Sequence, residues 1–326
     1  MDTQILDILG LLVFGFILLV KGADWFVEGA AGIADKLGVP QLVVGLTIVA
    51  MGTSAPDTAI SLTASFHGSA DLAVGNIVGS NIMNVLVILG LTAIISPLAV
   101  QKSTIRYEIP FTILISFIFP ILGLGFGLFR GFSAPDGSLS RVDGVILLVL
   151  FVCYLAYLFW LAKKGEGDVE EVPDGKSVSW IKLVFLLAVG LLGIVLGSNY
   201  TIRSATNLAK MFGISERIIG LTIVAFGTSL PELATCIAAA LKKNADIAIG
   251  NIVGSNIFNM LFVGGVSATI KAVPYQGAFF MDSLACLLTM ILLFLCIVLN
   301  KKRELSRAGG AIMILGYAAY FVYLIR

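Results

Sequence analysis

GLTIVAMGTSAPDTAI, residues 45–60, recurs as GLTIVAFGTSLPELAT at residues 220–235. Both run on without a gap, to GNIVGSNIMN (75–84) in the first case and GNIVGSNIFN (250–259) in the second. The offset is 175 residues throughout and about 24 of 40 positions are identical, which marks an internal duplication. Each copy sets a carboxylate, Asp57 or Glu232, directly after a proline inside an apolar run. A charge within lipid is costly and is kept where it has a task, and beside a helix breaker it points to an ion site.

Outward from these blocks the chain reads as an integral membrane protein. Of its 326 residues 58% are hydrophobic and 13% charged, and the mean hydropathy is +1.02, far above the range of soluble domains. The net charge of +1 gives no electrostatic reason to expect a nucleic-acid partner. A bilayer crossing needs about 20 apolar residues, and about ten such runs are present, near 5–23, 40–66, 71–97, 106–128, 142–162, 180–200, 214–241, 246–270, 276–299 and 308–325. The first is flanked by Asp2 and Asp7 and lacks a small-residue cleavage site, so it is expected to be a retained span and not a signal peptide. The expected fold is an all-α membrane protein of ten transmembrane helices.

One polar stretch, KKGEGDVEEVPDGKSVS at residues 163–179, separates two sets of five runs. The expected units are therefore a first half (1–163) with its repeat block at about 40–97, a linker (164–179), and a second half (180–326) with its block at about 214–270. The duplication reaches beyond the blocks, since Gly22 matches Gly197 and Leu37-Gly38-Val39 matches Phe212-Gly213-Ile214. Five is odd, so the halves enter the membrane in opposite directions, the inverted repeat of secondary transporters. Placing the linker in the cytoplasm gathers Lys102, Arg106, Lys163, Lys164, Lys176, Lys242, Lys243, Lys301, Lys302, Arg303 and Arg307 on that side, with both termini external. The linker acids Glu166, Asp168, Glu170, Glu171 and Asp174 lack the spacing of an EF-hand.

The chemistry of the blocks follows from residue type. Proline has no amide hydrogen and clashes with the carbonyl four residues back, so the helix is expected to bend or break within 52–57 and again within 227–232, freeing carbonyls around Ala50 and Gly52 and around Ala225. Thr53 and Ser54 lie on the face of Asp57, as Thr228 and Ser229 do for Glu232. The following block adds Ser80 and Asn84, or Ser255 and Asn259, at a spacing of four, with glycines that permit close helix approach. Two carboxylates, amides, hydroxyls and carbonyls are hard oxygen donors suited to calcium or sodium. Two negative charges match one divalent or two monovalent cations, and without them the pair demands protons, so ions compete for one site. Asp71 and Asp246 read as helix N-caps. Asn76, Asn81, Asn251 and Asn256 either line the path or satisfy backbone in the broken region. The four cysteines (Cys153, Cys236, Cys286 and Cys296) and the lone His67 show no metal spacing, so packing is expected for the cysteines, an interfacial position for His67, and no cofactor.

GTSxP[DE] followed by GNxxGSNxxN, twice, resembles the alpha-repeats of the calcium:cation antiporter superfamily, and within it the prokaryotic sodium/calcium exchangers. The resemblance implies an inverted five-plus-five fold in the cell membrane, alternating access, function as a monomer, and calcium and sodium as transported partners. It places ion ligands on Thr53, Ser54, Asp57, Ser80 and Asn84, on Thr228, Ser229, Glu232, Ser255 and Asn259, and on the carbonyls of Ala50 and Ala225. The chain departs from the family in two places. Asp57 stands where many relatives carry the longer glutamate. Asn259 stands where potassium-dependent exchangers carry aspartate, which argues against potassium coupling. The alternative coupling ion is the proton, disfavoured because the GNAxE-like motif of cation/proton exchangers is absent. A passive cation channel would also use the blocks. An intramembrane aspartyl protease would need a GxGD-type motif that the chain lacks, so no enzymatic chemistry is expected.

Overall fold

Lipid offers the backbone no hydrogen bonds, so a chain this apolar must satisfy its own amides within helices. The computed structural model describes residues 2–67, 70–125, 136–164, 178–212, 225–277 and 279–324, and they are helical almost throughout. In chain order the helices are α1 (Asp2–Leu37), α2 (Gln41–Thr53), α3 (Ala55–His67), α4 (70–95), α5 (Thr104–Leu124) and α6 (Arg141–Lys164). The second half holds α7 (Trp180–Met211), α8 (Ala225–Thr228), α9 (Leu230–Leu241), α10 (Ala245–Ile270), α11 (Phe279–Val298) and α12 (Arg307–Leu324). Four short strands join the connections: β1 (Leu98–Ala99) pairs antiparallel with β4 (Glu304–Leu305), and β2 (Gly137–Leu139) with β3 (Val273–Tyr275).

Among the described residues eight helices are long and apolar enough to cross a membrane, and α2 with α3 makes a ninth, bent by 54°. The remaining expected span, 214–241, is described only from Ala225 onward. The linker acids also lie outside the described residues, as do the side chains of His67 and Asp71.

Helices α4 and α10 form the centre, 83% and 94% buried over their most apolar stretches, against 28% for α1 and 33% for α7. The last two form an outer slab. Their seam is glycine on both sides: a Cβ at Gly22 would lie 2.6 Å from the Ile194 amide nitrogen, one at Gly190 2.5 Å from that of Phe26, and one at Gly197 2.5 Å from that of Leu19. Small residues let the two backbones touch, which stands in for the hydrophobic drive that lipid does not supply. Gly15 meets Thr201, Gly22 meets Ile194 and Gly29 meets Leu187, so the pair runs antiparallel. Because α1 and α7 are counterparts in the duplication, this crossing is the inversion seen directly.

The last helix of each half packs on the other half. Gly144 of α6 abuts the Gly265 carbonyl of α10, and Gly310 of α12 abuts the Gly90 carbonyl of α4, where Gly90 and Gly265 are duplicates of each other. The strand pairs cross between halves in the same way.

The expected break within 52–57 is present, with a bend of 54°, and the expected cap at Asp246 is corrected. The breaks fall at Ser54 (φ −80°, ψ 5°) and Ser229 (φ −92°, ψ 2°), two residues before each proline. Pro56 and Pro231 sit in the first turn of α3 and α9, where an amide hydrogen has no helical acceptor, so proline opens the new helix without kinking the old one. At the start of α10 the cap is Asn244, whose side chain accepts from the Ile247 amide at 3.3 Å. Asp246, in the first turn, instead accepts 2.6 Å from Gln101 Nε2. Asparagine caps as well as aspartate does, and Asp246 ties the segment after β1 to α10.

Candidate metal centre

Each break delivers an acid to the same place. Ser54 ends α2 and Ser229 ends α8. Their carbonyls then accept the Thr58 and Leu233 amides, at 2.9 and 3.0 Å, so each serine joins two half-helices. Three residues on, Asp57 and Glu232 lie in the first turns of α3 and α9, at the positive end of each helix dipole. They are 2% and 0% exposed, near enough for their charges to interact.

Serine followed three residues later by an acid is the local pattern of a capping box, yet here Ser54 reaches across to the other half. Its Oγ donates to Glu232 Oε1 at 3.0 Å. Ser80, Thr228 and Asn76 face Asp57, but neither of its carboxylate oxygens has a partner in hydrogen-bond geometry. Glu232 Oε2 and Asn84 Oδ1 are likewise buried and unpartnered. Leaving one buried polar atom unsatisfied costs about 1–3 kcal/mol. Four acceptors together are a site built for something positive.

Around these atoms stands a cross-braced set of asparagines. Asn81 Nδ2 donates to the Asn256 carbonyl and Asn256 Nδ2 to the Asn81 carbonyl, each at 3.3 Å. Asn84 Nδ2 then donates to Asn256 Oδ1 and Asn259 Nδ2 to Asn81 Oδ1, each at 3.1 Å. Every bond joins α4 to α10 and has its duplicate at the 175-residue offset. Further out, Asn76 binds Ser61 Oγ at 2.9 Å and Asn251 binds Cys236 Sγ at 3.4 Å, again duplicates, holding α3 and α9 to the centre. Asn251 Oδ1 lies 2.9 Å from Thr53 Oγ1. The Ala50 carbonyl accepts the Ser54 amide at 3.0 Å, with the Ser255 hydroxyl at 3.5 Å. In the second copy the Ser229 amide bonds the Phe226 carbonyl at 3.2 Å.

All twelve residues singled out from the sequence thus lie on the breaks or on α4 and α10 beside them. Of the two roles open to Asn81 and Asn256, the structure shows the backbone one: each donates to the other's carbonyl. Their signal was present as the second asparagine of each GNIVGSN block. Both α4 and α10 widen into a π-helical turn beginning at or next to the site asparagines, over Asn84–Leu89 and Phe258–Val263, a feature that clusters at functional sites and that hydrophobic periodicity does not reveal. The slab closes over the breaks, Gly52 lying under Phe26 of α1 and Gly227 under Ile202 of α7.

The model of the family described as sodium/calcium exchanger protein matches residues 8–160 and 182–326. The inner membrane protein YrbG of Escherichia coli K12 is 35% identical over 321 residues, covering 96% of this chain and 95% of the relative. The sodium/calcium exchanger MaX1 of Methanosarcina acetivorans is 31% identical over 343 residues, covering 96% and 97%. A solved structure of the sodium-calcium exchanger NCX_Mj superposes with a TM-score of 0.81 at 32% identity, covering 98% of this chain and 99% of that one.

Proposed function

This chain belongs to the sodium/calcium exchanger family, and on that footing we propose that it carries out its antiport at the paired acids. It exchanges sodium for calcium across a membrane. The observation that carries the siting is the set of four buried, unpartnered oxygens on Asp57, Glu232 and Asn84. Calcium takes six to eight oxygens at about 2.3–2.6 Å. Asp57, Glu232, Asn84 and Asn259, the hydroxyls of Thr53, Ser54, Ser80, Thr228, Ser229 and Ser255, and the Ala50 and Ala225 carbonyls offer that number with room to divide into sodium sites. The fixed charge of two acids accepts one calcium or two sodium ions, so one cargo must leave before the other enters.

Access alternates as the α1–α7 slab slides across the two breaks, uncovering one side at a time. The linker faces the cytoplasm and both termini face outward, and an inward sodium gradient drives calcium out of the cell. One chain contains the whole site and works as a monomer without a cofactor. The test is uptake of calcium-45 into sodium-loaded proteoliposomes diluted into sodium-free buffer. Uptake should collapse when the interior holds choline. Uptake that follows a pH gradient with sodium absent would replace sodium coupling by proton coupling, and uptake that never exceeds equilibrium would make the protein a channel.

A further inference from the structure

Glu108 of α5 is a buried carboxylate in a membrane span that the exchange site does not use, 1% exposed. Its Oε1 accepts a 2.6 Å hydrogen bond from the Tyr157 hydroxyl of α6. Its Oε2 has no partner, and the hydroxyl of Tyr154, 4% exposed on the same helix as Tyr157, has none either. Both residues border a cavity of about 320 Å³ that Arg106, Tyr107, Phe111 and Tyr157 help to enclose. Its walls are aromatic: Tyr154 stacks on Phe111 with centroids 5.5 Å apart, and Tyr107 and Tyr157 stand 6.5 Å apart. At the rim the Arg106 guanidinium lies 5.6 Å from the Tyr107 ring centre, and both residues are exposed.

Depth and direction identify what can enter. Glu108 lies four residues into α5 and Tyr157 seven residues before Lys164, so both stand about 6–10 Å from the linker-side helix ends. That is one to two turns inside the end of each span, just below the interface where tyrosine and tryptophan gather. An orphaned carboxylate oxygen needs a donor, and tyrosine faces attract cations. A quaternary ammonium would satisfy the rings but has no N–H for Oε2, whereas a primary ammonium satisfies both. Arg106, one step outward, calls for an anion joined to that cation.

We propose that this cavity holds the headgroup of an aminophospholipid, its primary ammonium on Glu108 among the tyrosines and its phosphate against Arg106. Native mass spectrometry of the purified full chain, offered phosphatidylethanolamine, phosphatidylcholine and phosphatidylglycerol with identical acyl chains, tests this. The ethanolamine lipid should be retained about fivefold or more over the other two. Glu108→Gln should erase that preference, and Arg106→Ala should lower retention of the ethanolamine lipid. Tyr154→Phe keeps the packing ring and should weaken the preference, which serves if Glu108→Gln does not fold. Equal retention of the three lipids, an unchanged preference in a folded Glu108→Gln or Tyr154→Phe protein, or binding of free ethanolamine without the lipid would each overturn the assignment.

Discussion

Asp57 and Glu232 occupy duplicate positions without duplicate surroundings. Glu232 accepts from Ser54 in the other half, while the carboxylate of Asp57, one methylene shorter, closes a hydrogen bond with none of the polar groups around it. Charge at both positions is what holds a divalent ion, so Asp57→Asn or Glu232→Gln should lower sodium-driven calcium-45 uptake by about 100-fold or more, the scale of losing a buried charge–ion contact. Asp57→Glu keeps the charge and should keep transport, with a changed half-saturating calcium concentration in the same assay. Wild-type uptake by Asp57→Asn would remove that residue from the site. These acids and their hydroxyls were legible in the sequence because a polar group amid lipid-facing residues has few bland explanations. The asparagine brace was not, since each of its bonds joins residues about 175 positions apart and depends on how two helices cross.

At the scale of elements, the α1–α7 seam has no room for side chains. Gly190→Ala would put a methyl 2.5 Å from the Phe26 nitrogen, on backbone that cannot turn aside. Overpacking of this kind costs about 1–3 kcal/mol, and a lowered midpoint of thermal unfolding in detergent should report it. The central brace should be more sensitive. Asn256→Ala removes the donor to the Asn81 carbonyl and the acceptor for Asn84 together, leaving two buried groups unsatisfied at about 1–3 kcal/mol each, and should lose folded protein more severely than Gly190→Ala in the same measurement. Element existence was readable from apolar run length, and the bend from proline. Its exact residue was not. Proline is equally content in the first turn of a new helix, and only the backbone at Ser54 and Ser229 shows which residue carries the break. The cap of α10 is hidden in the sequence for a similar reason, because Asn244 and Asp246 are both good caps and packing against Gln101 decides between them.

At the scale of the molecule, the halves interlock: α6 of the first packs on α10, α12 of the second packs on α4, and each two-stranded pair takes one strand from either half. Neither half is therefore expected to stand alone. Residues 1–179 and 180–326 expressed separately should each be degraded, while expressed together they should assemble and restore calcium uptake in membrane vesicles. The pairing of Leu98 with Leu305 also sets a timetable for synthesis. At about 5–20 residues per second, the chain leaving the ribosome must hold Asp57 in the bilayer for roughly 12–55 s before the last helix arrives to cover α4. During that interval the nascent protein is an unfinished, polar-cored intermediate, the stage at which an insertion chaperone or a quality-control protease would have its opening.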